Sequence, residues 1–166
     1  MVADPVRIEV LSYDHPDAGP LIAELQQYFV IRYGEEDMTP VDPADFAPPR
    51  GLFLIAYLGD RAVGCGGWRV HDGPEGPEAE LKRMYTSPAA RGHGVARAVL
   101  AELERTAAMA GYARMVLETG TKQPEALALY EAAGYIEVPR FGYYADEPSA
   151  VHLGKTLKEQ SCPSTR

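Results

Sequence analysis

The chain is poor in cysteine, with only Cys65 and Cys162 among its 166 residues. Cys65 lies in an apolar stretch and Cys162 close to the C-terminus, so the spacing predicts neither a disulfide framework nor a Cys/His zinc cluster. Long apolar runs are missing as well. The longest, LFLIAYL at 52–58, is far too short to cross a bilayer. The opening MVADPVRIEVL lacks the basic segment and apolar core of a secretory signal. These absences lead to the expectation of a reduced, cytoplasmic setting with no membrane partner. Positive charge is in deficit too: 16 Lys and Arg stand against 24 Asp and Glu, a net charge of −8. That argues against a nucleic-acid partner, whose phosphates require a basic face. It suits a cationic substrate and equally serves solubility.

What is present reads as one α/β domain over 1–158, with 159–166 a flexible tail. A chain of this length buries roughly 70% of its unfolded surface. VRIEVLS (6–12) alternates as a strand does. Residues 18–33 place Leu21, Leu25, Tyr28 and Phe29 at helical spacing. Residues 34–50 hold Pro40, Pro43, Pro48 and Pro49 and predict a long loop of the functional kind. Segments 52–59 and 62–70 predict a hairpin around GDR, followed by a turn region at 71–78. A strand over 79–87 and a helix over 94–111 come next; Val95, Val99, Leu103 and Ala107 form the helix's buried stripe and Gly111 its stop. Strand 113–119, helix 124–134 from Pro124 to Gly134, and strands 135–139 and 149–157 complete the order. Antiparallel strands early and a central βαβ unit predict a mixed α/β layer architecture without internal repeats.

The stretch SPAARGHGVARAVL (87–100) sets Gly92 and Gly94 at the start of a helix, between Arg91 and Arg97. The first turn of a helix carries unpaired N–H groups and the positive end of the dipole. Glycines there clear the approach for an anion, most naturally phosphate or pyrophosphate. The plainer alternative is a tight strand-to-helix turn. The P-loop pattern is absent, and Arg97 stands where a Rossmann fingerprint needs its third glycine. His93 reads as an exposed loop residue.

RGHGVA (91–96) fits the Arg/Gln-x-x-Gly-x-Gly/Ala motif of the GCN5-related N-acetyltransferases, and it follows a strand ending KRMYTSP. QPEALALYEAAGY (123–135) looks like that family's second signature, Asn-x-x-Ala-x-x-Leu-Tyr followed by Gly-Phe/Tyr. With the element order over 6–157, nearly the whole chain resembles this family. The resemblance implies a mixed central sheet of about six to seven strands flanked by helices, with strands 79–87 and 113–119 parallel and splayed. It implies acetyl-CoA as co-substrate, no metal, and direct attack by an amine in a ternary complex. Arg91, Gly92, His93, Gly94, Val95, Ala96 and Arg97 would hold the pyrophosphate. Met84, Tyr85 and Thr86 would meet the pantetheine arm and the acetyl carbonyl. Tyr130 would protonate or hydrogen-bond the leaving sulfur, or else serve as a buried aromatic. Gln123 stands where the family has asparagine, which puts its contact with pantetheine in doubt. Dimers are common in the family, and a homodimer is one assembly it allows.

The acceptor implied is a small-molecule or protein amine, which must be neutral to attack. For a lysine-like amine of pKa near 10.4, deprotonation at pH 7 costs roughly 4.6 kcal/mol; for an α-amino group near 7.8 it costs about 1 kcal/mol. Glu80 and Glu118 are the candidate bases, with a water relay as the other route. Cys65 has no histidine near it in sequence to make it a nucleophile. In 139–157, Phe141, Tyr143, Tyr144 and Asp146 either line the acceptor pocket or pack the loop on the sheet. That segment resembles a bacterial subgroup, some of whose members carry labels linked to indole-3-acetate metabolism. Two rival readings are an acyl-CoA-binding regulatory module without turnover and an acyltransferase preferring a longer acyl chain.

Overall fold

The computed structural model describes residues 5–157. The expected tail at 159–166 and Cys162 lie outside them. The order is β1 (Val6–Val10), α1 (Ala18–Tyr33), β2 (Gly51–Leu58), β3 (Arg61–Gly73), β4 (Gly76–Thr86), α2 (Val95–Met109), β5 (Arg114–Gly120), α3 (Pro124–Ala132), β6 (Ile136–Glu137) and β7 (Ala150–Thr156). The strands form one seven-stranded sheet, β1-β2-β3-β4-β5-β7-β6. Its pairs are antiparallel except β4 with β5. Among the described residues no helix is long and apolar enough to cross a membrane.

Two expectations require correction. Residues 71–78 are not a turn region: β3 runs on to Gly73 and β4 starts at Gly76, so only Pro74 and Glu75 turn. His71 pairs with Glu78 and Asp72 with Pro77, extending the ladder. A solvated two-stranded extension accepts polar and turn-forming residues, so composition alone did not mark it as strand. The proline-rich loop also has local order. Pro43–Phe46 forms a 3-10 turn whose start is capped by the Asp42 carboxylate, accepting from the Ala44 N–H at 3.0 Å. Phe46 is buried there and stacks on Tyr13 at 4.9 Å between ring centroids.

The sheet carries a core on each face. The expected stripe of α2, Val95, Val99, Leu103 and Ala107, packs with Leu54, Trp68, Leu81 and Leu117. Behind it, Glu104 accepts from the Tyr135 hydroxyl and from Lys155 Nζ, each at 2.8 Å, which ties α2 to the far end of the sheet. On the other face Ala18 and Leu21 of α1 pack with Phe46, Phe53, Ile55 and Cys65. Gly66 marks how closely α2 approaches: a Cβ there would stand 2.6 Å from Met84 Sδ and 3.0 Å from a Leu103 methyl.

The central irregularity is in β4. The ladder with β3 shifts between Cys65 and Gly67, which face Tyr85 and Lys82, so β4 holds one extra residue. Arg83 takes φ 60°, the left-handed region, at a cost of order 1–2 kcal/mol for a non-glycine residue. The bulge reverses the side-chain alternation. Lys82 and Arg83 consequently emerge on one face, and both meet Asp37 Oδ2, at 3.3 and 2.5 Å. The Tyr13 hydroxyl accepts from Arg83 Nε at 3.2 Å. Parallel pairing of β4 with β5 covers only Ala79–Leu81 against Met115–Leu117. The strands part where the bulge begins, while β5 remains paired with β7.

Burial alone would raise the Asp37 pKa. Lys82, the Thr39 hydroxyl and amide, and Arg83 outweigh it and hold the carboxyl at about 2. A folded-state pKa below the unfolded value contributes stability that is complete above pH 3.8 and lost as pH falls through about 2. Asp37→Asn should therefore lower the unfolding free energy at pH 7 by about 2 kcal/mol or more. Urea titrations at pH 7, 4 and 2 should show this deficit narrowing towards the lowest pH. A deficit equal at all three would mean that the carboxylate charge is not what holds Lys82 and Arg83.

Candidate active site

The start of α2 is a cradle of free amides. Gly92 and Gly94 adopt φ +86° and +76°, and at neither would a Cβ meet another atom within 4 Å. Backbone conformation is thus what requires glycine at both positions. These left-handed turns leave the N–H groups of Gly92, His93, Gly94, Val95, Ala96 and Arg97 without an acceptor among the described residues; the helix ladder starts with Ala98 N–H to Gly94 C=O at 3.0 Å. The His93 side chain is exposed, and the Val95 side chain is buried, so each offers only its amide to this site. Arg91, Ala96 and Arg97 border an adjoining groove of about 820 Å³.

That groove runs between α2, α3 and the outer half of β4, past Met84, Tyr85, Thr86, Gln123 and Tyr130. The Thr86 hydroxyl oxygen is buried without a hydrogen-bond partner among the described residues. Tyr85 turns its hydroxyl to Glu24 of α1, at 3.2 Å, and burial first, then Glu24, pushes its pKa up to about 12. A long phosphorylated thioester fits these features. The helix start offers amide donors with two arginines for phosphates, and the apolar walls and the orphan hydroxyl follow on.

At its inner end the groove meets a junction of about 80 Å³, lined by Leu25, Met84 and Tyr130 on one side and by Lys82, Glu118 and Thr119 on the other. Beyond lies a pocket of about 210 Å³ that contains Lys82 and Glu118 together with Phe29, Tyr33, Asp37 and Tyr144. Gln123 borders all three spaces. The three spaces adjoin, sharing these residues as walls, and line up as a passage along the opening between β4 and β5.

Tyr130 is buried, edge-on to Tyr135 at 5.5 Å, and its hydroxyl has no partner among the described residues. Burial pushes its pKa up, so the hydroxyl stays protonated. Glu118, at the C-terminal end of β5, is half-buried. Burial raises its pKa to about 7, with Asp37 and Glu80 acting the same way and Lys82 against. Glu118 Oε2 lies 3.0 Å from Nε2 of the buried His152. Glu80 lines none of the three spaces. It is buried and accepts from Arg69 Nε at 3.0 Å. Arg69 also donates to the Pro40 carbonyl at 2.8 Å, tying the hairpin to the 34–50 loop.

Gln123 Nε2 donates to the Tyr33 hydroxyl at 3.1 Å, so its amide is partly engaged. That hydroxyl lies so close to Gly120 that a Cβ there would sit 1.8 Å from it. In 139–150, only Tyr144 of the expected residues borders the pocket; its hydroxyl accepts from the Met38 N–H at 2.8 Å. Phe141 instead lies between His71 and His152, with ring centroids 4.7 and 4.9 Å away, tilted on the first and edge-on to the second. Tyr143 and Asp146 are exposed and line none of the three spaces. Cys65 is buried and its thiol is pushed up to about 12 by that burial, so no thiolate forms near neutrality. Among the described residues no group of three or more His, Cys, Asp or Glu is placed to hold a metal ion.

Four residues here were not singled out from sequence: Tyr33, Asp37, Lys82 and His152. Adjacent Lys82-Arg83 inside an alternating strand was a readable sign of a bulge, and a histidine inside the apolar 149–157 strand a readable sign of a buried polar contact. Asp37 and Tyr33 carried no comparable signal.

Comparison with known proteins agrees with this geometry. The model of the acetyltransferase (GNAT) family matches residues 20–135. An "IAA acetyltransferase" of Azospirillum brasilense is 35% identical over 137 residues, 82% of this chain and 88% of that one. The N-acetyltransferase YsnE of Bacillus subtilis is 35% identical over 111 residues, covering 66% and 72%. A solved Klebsiella pneumoniae protein assigned as an acyl-CoA N-acyltransferase superposes with TM-score 0.76 at 28% identity, over 92% of this chain and 98% of that one. The chain thus belongs to the acetyltransferase (GNAT) family and is an N-acetyltransferase that takes its acyl group from a CoA thioester.

Proposed function

We propose that this enzyme moves an acetyl group from acetyl-CoA to a primary amine by direct attack, with Tyr130 and Glu118 on opposite sides of the reacting carbonyl. The observation that carries the reading is that the groove, the junction and the pocket adjoin, with shared walls. Tyr130 borders the groove and the junction, and Glu118 borders the junction and the pocket. The small junction suits an acetyl group. The pocket between α1, the 34–50 loop and the 139–150 loop would take the amine.

The α2 amides, with Arg91 and Arg97, anchor the CoA phosphates, and the free β4 edge from Met84 to Thr86 aligns the arm. Glu118 accepts a proton from the amine as the new N–C bond forms. Tyr130 gives its proton to the sulfur as the C–S bond breaks, so the reaction ends with a neutral amide and a free thiol, and the proton taken up by Glu118 passes through solvent to re-protonate Tyr130. Glu80, engaged with Arg69, serves the scaffold. The cytoplasm, where acetyl-CoA is made available to soluble enzymes, is the compartment we assign to it.

Acetyl-CoA at about 100 times its dissociation constant should stabilise the chain by roughly 2.7 kcal/mol, a rise in Tm of about 5–10 °C. Gly94→Glu should abolish that rise while leaving a cooperative unfolding transition; a rise that survives would move the phosphates elsewhere. A raised carboxyl becomes a base as pH climbs through its pKa, so the rate should increase with pH and bend near pH 7. Glu118→Gln should remove the bend and lower kcat for a lysine-like amine by about 10²-fold or more. Steady-state rates from pH 5.5 to 9 decide this, and an unchanged profile would return the role of base to water. Tyr130→Phe should lower kcat by about 10²-fold with the KM for acetyl-CoA within about threefold. Thiol-release assays measure both constants, and a full rate in the Phe variant would leave Tyr130 as packing alone.

A further inference from the structure

His152 has a place in β7 that an apolar side chain would fill at lower cost, since an imidazole must be desolvated to lie there. Its side chain is fully buried, with Nε2 3.0 Å from Glu118 Oε2. Nδ1 is buried and has no hydrogen-bond partner among the described residues. A neutral imidazole carries one N–H. A proton on Nε2 meets the carboxylate at hydrogen-bond distance, whereas a proton on Nδ1 has only the Phe141 carbonyl nearby, outside hydrogen-bond geometry. The Phe141 ring, itself backed by His71, packs edge-on against the imidazole.

The charged groups around the pair come from each neighbouring element. Lys82 and Glu80 belong to β4, Asp37 to the loop after α1, and Arg140 to the segment between β6 and β7. Burial, and then Arg140, hold His152 below its usual pKa. The ring therefore stays neutral near pH 7 and acts on Glu118 as a donor instead of a competing cation.

We infer that His152 is a positioning residue for acyl transfer: its Nε2–H holds Oε2 of Glu118 and leaves Oε1 turned to the passage to take the amine proton. This rests on Glu118 acting as base. One proton moves, from the amine nitrogen to Oε1, and the Nε2 proton stays where it is. The same N–H favours the ionised carboxylate, so its removal makes Glu118 a base only at higher pH.

The test compares His152→Phe, which keeps the ring volume, with His152→Gln, which restores an N–H donor of similar reach. His152→Phe should lower kcat about tenfold or more. Its rate profile should bend about one pH unit higher, with the KM for acetyl-CoA within about twofold. His152→Gln should recover most of the rate and bring the bend back towards pH 7. An unchanged rate and bend in His152→Phe would overturn the inference. If Glu118→Gln itself retains the full rate and the bend, the base assignment fails, and His152 with it, by a result distinct from the first. Nitrogen-15 shifts of His152 in the natural chain at pH 8.5 give a readout that needs no variant to fold. The proton on Nε2 supports the inference, and the proton on Nδ1 overturns it.

Discussion

The site depends on the pairing of Asp37 with two consecutive cations of β4. A regular strand would send Lys82 and Arg83 to opposite faces. The left-handed backbone at Arg83 sends both to one face, and there they require a buried counter-ion. Asp37 supplies it from the far end of α1, which draws the 34–40 segment down on the sheet. A strained residue, an ion cluster and a closed loop are thus one arrangement, and each element persists because the others hold it. The bulge is also where β4 and β5 stop pairing, so the opening between the strands and the wall that closes one side of it have the same origin.

The electrostatics of the passage follow from that arrangement. Asp37 is held ionised by its cations and satisfies Lys82, which would otherwise bind Glu118 and suppress its basicity. Two carboxyl groups a short distance apart accordingly reach opposite states: one locked as an anion, one poised near neutrality. Environment, not residue type, separates them. On the other side of the sheet the same burial keeps the Tyr130 proton in place. In the mechanism proposed above, the proton donor and the proton acceptor face each other across that opening.

Much of this was readable in the chain. The α2 stripe and the Gly92–Gly94 pair follow from period and turn chemistry and are found where those rules put them. The paired motifs at 91–96 and 123–135 pointed to the family before any contact was known. What escaped was the long-range part. Glu80 and Glu118 look alike in sequence, each one carboxylate in an apolar strand. Only the partners tell them apart: Arg69, the cross-strand neighbour of Glu80 in the β3–β4 hairpin, and His152, which lies far along the chain from Glu118. Asp37 sits among Glu35, Glu36 and Asp42 with nothing local to distinguish it. The continuation of β3 and β4 through 71–78 was hidden because composition reports turn preference while a ladder is decided by the opposite strand.

The segment after β6 is held by two side chains that reach backbone groups. Arg140 reaches the carbonyls of Ala145, Glu147 and Ala150, and Tyr144 takes its hydrogen bond from the Met38 amide. Contacts of this kind do not depend on the identity of the side chains they pass between. With Arg140 and Tyr144 kept, the rest of the wall proposed to face the amine can be rewritten residue by residue while its path in space is kept, and the half assigned to CoA is untouched by the change. Such a scaffold allows descendants of one gene to acquire new acceptors by point substitution, without first losing the old chemistry.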